Sequence, residues 1–225
     1  AIILAAGEGR RMRPLTETTP KPLLRIQGKP LIEHIVERLP KEVDELIIVV
    51  GYLGHMIQKH CGNNFLGRRV TYVEQSAPLG TFHATSLAKD LIKDGERFFV
   101  LNGEDIIDKE SFEECLNYPR AIIVSETADP RPFGVVELDE NGYLFSIIEK
   151  PEFPKTNLVN TGAALLDSNI FKYPGEQHPN GEFYLPTVIG KMVKDHAVKA
   201  VHAESWLVVT TPQDLARVEQ ILTNA

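Results

Sequence analysis

Leu4-Ala5-Ala6-Gly7-Glu8-Gly9-Arg10-Arg11-Met12-Arg13-Pro14-Leu15-Thr16, continued by Thr19-Pro20-Lys21-Pro22-Leu23, is the stretch on which the reading of this chain turns. It follows a short apolar run, Ala1–Ala6, that reads as a first strand. Gly7 and Gly9 remove side chains, so backbone amides there can close around phosphate oxygens. Arg11 and Arg13 add cations of a shape that matches phosphate. Lys21 stands between two prolines, which stiffen its backbone and aim its ammonium. Such a set suits a polyphosphate whose charge grows as it is attacked. A plain strand–loop–helix turn with solvated arginines is the bland alternative. The loop is not a dinucleotide fingerprint, since the third glycine is missing and no acidic residue follows at the right distance. Nor is it a Walker A loop.

Outward from this loop, short apolar runs alternate with helical periods, the signature of βαβ units. Pro30–Leu39 carries apolar residues at helical spacing, and Glu45–Val50 is a β-branched run closed by Gly51. A helix over Leu53–His60, a strand over Arg69–Glu74 and a helix over Thr81–Ile92 follow. Phe98–Leu101 reads as a buried strand, Ser111–Leu116 as a helix and Ala121–Glu126 as a strand. The texture then changes. Phe133–Leu138 and Tyr143–Glu149 flank Asn141-Gly142 as a hairpin, and Asn160–Leu166 is a further strand. The Pro-rich run Lys150–Lys155 reads as a loop, and Glu182–Lys194 and Pro212–Leu222 as helices. The expected fold is a Rossmann-like α/β domain over residues 1–225. Its sheet is open, mixed and mostly parallel, with flanking helices and antiparallel additions in the second half. Ligands of such sheets sit beyond the carboxyl ends of the strands. Each motif singled out here follows a strand.

Bulk composition narrows the function. The 225 residues carry 24 Lys+Arg against 31 Asp+Glu, a net charge of −7. That balance argues against a general nucleic-acid binder, which needs a basic face. No run approaches the roughly 18 apolar residues of a membrane span. The two cysteines, Cys61 and Cys115, lie in no metal or redox spacing, so they read as buried thiols of a cytoplasmic protein. The chain opens on Ala1 rather than Met, which leaves room for residues beyond either end. A homo-oligomer is compatible with this reading.

The quoted loop closely resembles the signature of the sugar-phosphate nucleotidyltransferases, Leu-Ala-Ala-Gly-x-Gly-Thr-Arg-Met/Leu…Pro-Lys-Pro. Arg10 stands where that family usually has Thr. Matching blocks run in order along nearly the whole chain. They come closest in motif to the catalytic domains of glucose-1-phosphate thymidylyltransferases and N-acetylglucosamine-1-phosphate uridylyltransferases. The resemblance implies that Leu4, Ala5, Ala6, Gly7 and Gly9 hold a nucleoside triphosphate, with Arg11 and Lys21 on its phosphates. Gln75-Ser76-Ala77-Pro78-Leu79-Gly80-Thr81 resembles the base-reading loop, so Gln75, Gly80 and Thr81 are expected at the base. An amide offers both a donor and an acceptor, which suits uracil or thymine and favours UTP or dTTP. Phe133-Gly134, Glu149-Lys150-Pro151 and Asn160-Thr161-Gly162 resemble the sugar-phosphate blocks. Gly134, Glu149, Lys150 and Asn160 are therefore expected around a sugar-1-phosphate.

The implied reaction passes a nucleotidyl group to the sugar-1-phosphate and releases pyrophosphate, with Mg²⁺ as cofactor. The family's Gly-Asp after the central strand is here Asn102-Gly103-Glu104-Asp105. Asp105 is the favoured Mg²⁺ ligand, with Glu104 beside it. The family's later Trp-x-Asp-x-Gly-Thr-Pro is here Trp206-Leu207-Val208-Val209-Thr210-Thr211-Pro212, so Val208 replaces a second carboxylate. Glu204 is a candidate substitute. A catalytically weak nucleotide- or sugar-binding relative is one alternative, and a nucleotidyltransferase for another phosphorylated alcohol such as phosphocholine is a second. His83 reads as a helix-surface or capping residue.

Overall fold

The computed structural model describes residues 1–223. In chain order its elements begin with β1 (Ile2–Ala5), β2 (Arg25–Ile26), β3 (Lys29–Pro30), α1 (Leu31–Arg38), β4 (Glu45–Val50) and α2 (Gly54–Cys61). Next come β5 (Asn64–Phe65), β6 (Arg68–Glu74), α3 (Thr81–Ser86), β7 (Arg97–Asn102), β8 (Asp105–Ile107) and α4 (Lys109–Cys115). The second half holds β9 (Ala121–Glu126), β10 (Gly134–Leu138), β11 (Leu144–Glu149), β12 (Leu158–Asp167), α5 (Leu185–Met192), β13 (Lys199–His202), β14 (Trp206–Val208) and α6 (Pro212–Thr223).

Strands β7, β1, β4 and β6 lie side by side and parallel at the centre of a ten-stranded mixed sheet. β12 then joins β7 antiparallel and carries the hairpin β10–β11 on that side. β9 and β13 branch from β12. The expected α/β fold, with antiparallel strands added by the second half, is the one observed.

Alternation along the strands builds a core on each face of the sheet. Ile3, Ile48, Leu101 and Ile123 face one core, which α1, α2, α4 and α6 cover. Ile2, Val49, Val100 and Val124 face the other, which α3 and α5 cover. Cys61 and Cys115 are both free and buried, and burial pushes each thiol up to about 12. Among the described residues, no helix is long and apolar enough to cross a membrane.

Most boundaries lie within about two residues of the sequence reading, and two differ by more. The helix expected over Thr81–Ile92 stops at Ser86, and Lys89–Leu91 forms a separate 3₁₀ turn. Thr85 and Ser86 each donate a hydroxyl hydrogen bond four residues back, to the Thr81 and Phe82 carbonyls. Such back-bonding weakens and bends a helix. The helix expected from Glu182 starts at Leu185, because residues 176–184 form a polar loop instead.

Candidate functional site

The parallel strands β1, β4, β6 and β7 end at Ala5, Val50, Glu74 and Asn102, and the loops that follow them converge. Gly51, after β4, lies against the Ala6 and Gln75 carbonyls, where a Cβ would meet them at 2.8 and 3.0 Å. The Gly103 N–H donates to the Leu4 carbonyl at 3.0 Å. Leu4–Ala6, Gln75 and the Glu104-Asp105 pair are thereby brought to one end of the sheet.

Gly9 holds the phosphate-loop turn. It is left-handed, at φ 60°, and a Cβ there would press on Thr16 at 2.9 Å and on the Lys21 stem at 3.2 Å. Thr16 Oγ1 closes the turn by donating to the Gly9 carbonyl at 2.8 Å. Gly7 faces open space. Lys21 opens a 3₁₀ turn behind this loop, and its side chain is only 6% exposed. Its Nζ lies 2.7 Å from Glu104 Oε2. Arg10 and Arg13 turn to Glu8, at 2.8 and 3.6 Å. Arg11 is exposed and has no ion pair or side-chain hydrogen bond among the described residues, which leaves its guanidinium available to an anion.

Asp105 is buried and accepts a hydrogen bond from Asn102 Nδ2 at 3.0 Å. Gly162, at φ 88°, makes room for this pair, since a Cβ there would fall on the Asn102 amide. The Asn160 side chain is buried beside it and accepts from the Gly162 N–H at 3.2 Å. Burial, and next the Glu104 charge, push the Asp105 carboxyl up to about 7, against the opposing pull of Asn102 and Lys21. Unfolded, this group titrates near 3.8. Between those values the folded chain keeps a proton that the unfolded chain has lost. The contribution to stability is therefore lost as pH rises through about 7. Asp105→Asn is expected to abolish that loss. Melting curves at about pH 5 and about pH 8 should show a smaller fall in Tm for the variant, each kcal/mol counting about 2–4 °C.

The residues present fit one way of holding Mg²⁺ and not another. Two adjacent carboxylates, one of them open to the phosphate loop, suit an ion completed by substrate phosphates and water. An all-protein cage is not available, because no cluster of three His, Cys, Asp or Glu side chains occurs among the described residues. Val208 sits directly across from Asp105 in the β8–β14 pair and offers only methyl groups. Glu204 is exposed and makes no ion pair among the described residues. Asp214, the next carboxylate, accepts from the Thr210 and Thr211 amides at 3.1 and 2.9 Å as the cap of α6.

On the other side, Gly134 lies opposite Glu149 in the β10–β11 pair, and a Cβ there would meet Glu149 Oε2 at 3.2 Å. Burial raises the Glu149 carboxyl, with Lys150 opposing. Lys150 has φ 48°, a costly conformation for a lysine, and it turns the side chain onto Tyr184. Lys150 Nζ donates to Tyr184 Oη at 2.8 Å and stands 4.2 Å from the ring centroid. Burial lowers the lysine pKa, but the bond to Tyr184 and the Glu149 charge outweigh it and the net shift is upward. Asn180 and Glu182 also meet the Tyr184 hydroxyl. The Gln75–Thr81 loop touches this group, since Gly80, at φ 93°, lies flat against the Phe183 backbone, where a Cβ would meet the carbonyl at 2.5 Å. Thr81 Oγ1 accepts from the Leu185 N–H at 2.9 Å, so this hydroxyl ties α3 to α5.

The sequence reading gave no site role to Asn102 or to the loop His178–Tyr184, and it took His83 for a helix-surface or capping residue. His83 is no mere surface residue, because its Nδ1 lies 2.9 Å from Gln75 Nε2. Gln75 follows β6 and His83 lies within α3, so no single helical or strand period spans the two and announces the contact.

The nucleotidyl transferase family model matches residues 1–225. A bifunctional GlmU protein from Methanocaldococcus jannaschii is 37% identical over 99% of this chain and 54% of its own length. The chain spans about half the length of these curated relatives, another GlmU protein from Methanococcus maripaludis being covered over 52% of its length. A solved structure from Bacillus anthracis, titled as a glucose-1-phosphate thymidylyltransferase, superposes with TM-score 0.87 at 27% identity, covering 100% of this chain and 95% of that one. A UDP-glucose pyrophosphorylase solved with UDP-glucose gives TM-score 0.88 at 22% identity, covering 99% of this chain and 97% of that one, which speaks for the fold alone. With its entire length matched by that family model, the chain belongs to the nucleotidyl transferase family.

Proposed function

We propose that residues 1–225 form a sugar-1-phosphate nucleotidyltransferase domain that uses UTP or dTTP and releases pyrophosphate. The observation that carries this reading is the near-buried Lys21 ammonium, held 2.7 Å from Glu104 behind the Gly7–Gly9 loop. An ammonium fixed there before substrate arrives suits the charge of a triphosphate. The glucose-1-phosphate thymidylyltransferase title of one structural relative supports the choice of substrate class.

In this reading Leu4–Ala6, Gly7 and Gly9 cradle the phosphates by backbone. Arg11 and Lys21 stabilise the charge that develops as a sugar-phosphate oxygen attacks the α-phosphorus in line. Gln75, Gly80 and Thr81 border the base. Gly134 leaves space beside Glu149 for the sugar, and Lys150 and Asn160 orient the sugar phosphate. Mg²⁺, when bound at Glu104 and Asp105, would neutralise phosphate charge, with Glu104 the more accessible ligand. Substrates of this kind and two buried free thiols suit the cytoplasm.

A second reading, a nucleotide-binding relative with weak turnover, is favoured by one observation, the apolar Val208 facing Asp105. An assay of pyrophosphate release over a panel of NTPs and sugar-1-phosphates separates the two. Turnover with UTP or dTTP is expected. Nucleotide binding without turnover on any pair would select the second reading, and neither binding nor turnover would overturn both.

A further inference from the structure

We infer that His83 is a specificity-determining residue that locks the Gln75 amide so that only its oxygen faces the base. The inference rests on the proposed nucleotide site and adds to it. Gln75 Nε2 lies 3.2 Å from the Gly80 carbonyl and 2.9 Å from His83 Nδ1. A carbonyl oxygen only accepts, so the Gln75 atom beside it is the NH₂ group. That fixes which way round the amide sits without reference to the histidine. The imidazole nitrogen facing the same NH₂ must then present its lone pair, so His83 Nδ1 is the acceptor of this contact. Both N–H bonds of the amide are thereby used. Oε1 points away from these two acceptors and meets no donor among the described residues.

The consequence for recognition is specific. A free glutamine side chain offers a donor and an acceptor, and rotates to suit either kind of base edge. A locked one offers an acceptor only. It matches an imino N–H, which uracil and thymine carry at N3, and it repels the lone pair that cytosine carries there. Gly80 holds the lock in register. Its carbonyl also accepts from the Ala84 N–H at 3.1 Å, and its α-carbon is pressed against the Phe183 backbone. The acceptor therefore cannot swing away from Gln75. In the absence of the His83 lone pair, one amide N–H is left unpaired, and the side chain gains a reason to turn.

The experiment measures Kd for UTP, dTTP and CTP by calorimetry on the wild-type chain and on His83→Leu and His83→Asn, with melting curves to check folding. Leu removes the lone pair at similar bulk. Asn restores an acceptor, its Oδ1 standing where imidazole Nδ1 stood. The wild type should prefer UTP and dTTP to CTP. His83→Leu should lower that preference about tenfold, the scale of one hydrogen bond in a closed site, and His83→Asn should return it to within about threefold. A general loss of nucleotide affinity would move all three constants together and leave the ratio intact. An unchanged ratio in a folded His83→Leu protein overturns the inference while leaving the proposed function standing. A wild type that binds none of the three nucleotides overturns the proposed function instead, and one that prefers CTP overturns the locked-acceptor argument.

Discussion

Lys21→Met should lower kcat/KM for the nucleotide about 100- to 1,000-fold, the usual effect of removing one preorganised charge from a transition state. The Lys21 side chain is 6% exposed and ends on Glu104, so its position is set before any substrate arrives. A fixed ammonium stabilises developing phosphate charge without first reorganising, and a methionine of similar length keeps the packing while removing the charge. Stability should respond much less. Glu104 is 36% exposed and can be solvated once its partner is gone, so the ion pair contributes on the order of 1 kcal/mol or less. Lys21→Arg should not rescue activity, because the planar guanidinium does not occupy the space of a compact ammonium. Steady-state kinetics alongside thermal melts provide the check. A variant within about threefold of wild type would remove Lys21 from the phosphate site.

The second large effect concerns the residue across the sheet from the buried carboxyl. Val208→Asp should raise Mg²⁺-dependent turnover about tenfold or more, the scale by which metal sites respond to ligand changes. Val208 and Asp105 are directly opposed in the antiparallel β8–β14 pair, so their side chains share one face. A second carboxylate there would repel the first, whose pKa already stands at about 7. The variant should therefore melt lower than wild type without divalent cation and recover several degrees when Mg²⁺ is added, at about 2–4 °C per kcal/mol. The wild type should show a smaller Mg²⁺ shift. No Mg²⁺-dependent gain in either Tm or turnover would mean that position 208 does not border the metal site.

The fold was legible because its central strands are long and apolar. Glu45–Val50 and Ala121–Glu126 are bounded in the structure as the sequence reading has them. The pieces missed are short. β8 and β14 have three residues each, too few to show a period, and they pair across about a hundred residues of intervening chain. That pairing is what turns Val208 from a motif departure into a neighbour of Asp105. The loops were legible as motifs but not as contacts. Nothing in Gln75-Ser76-Ala77-Pro78-Leu79-Gly80-Thr81 says that Gly80 will lie on Phe183, since the encounter joins residues about a hundred positions apart. Nor does a single lysine before Pro151 announce a left-handed backbone aimed at Tyr184.

The contact of Gly80 with Phe183 has a thermodynamic meaning as well. The Gln75–Thr81 loop and the loop His178–Tyr184 share a wall of backbone, reinforced by the Thr81 hydroxyl on the Leu185 amide. Backbone cannot yield as a side-chain tip does, so any displacement of one loop is passed to the other. On the proposed function, whatever factor a bound nucleotide adds to the affinity for the sugar phosphate, the sugar phosphate returns to the nucleotide in equal measure.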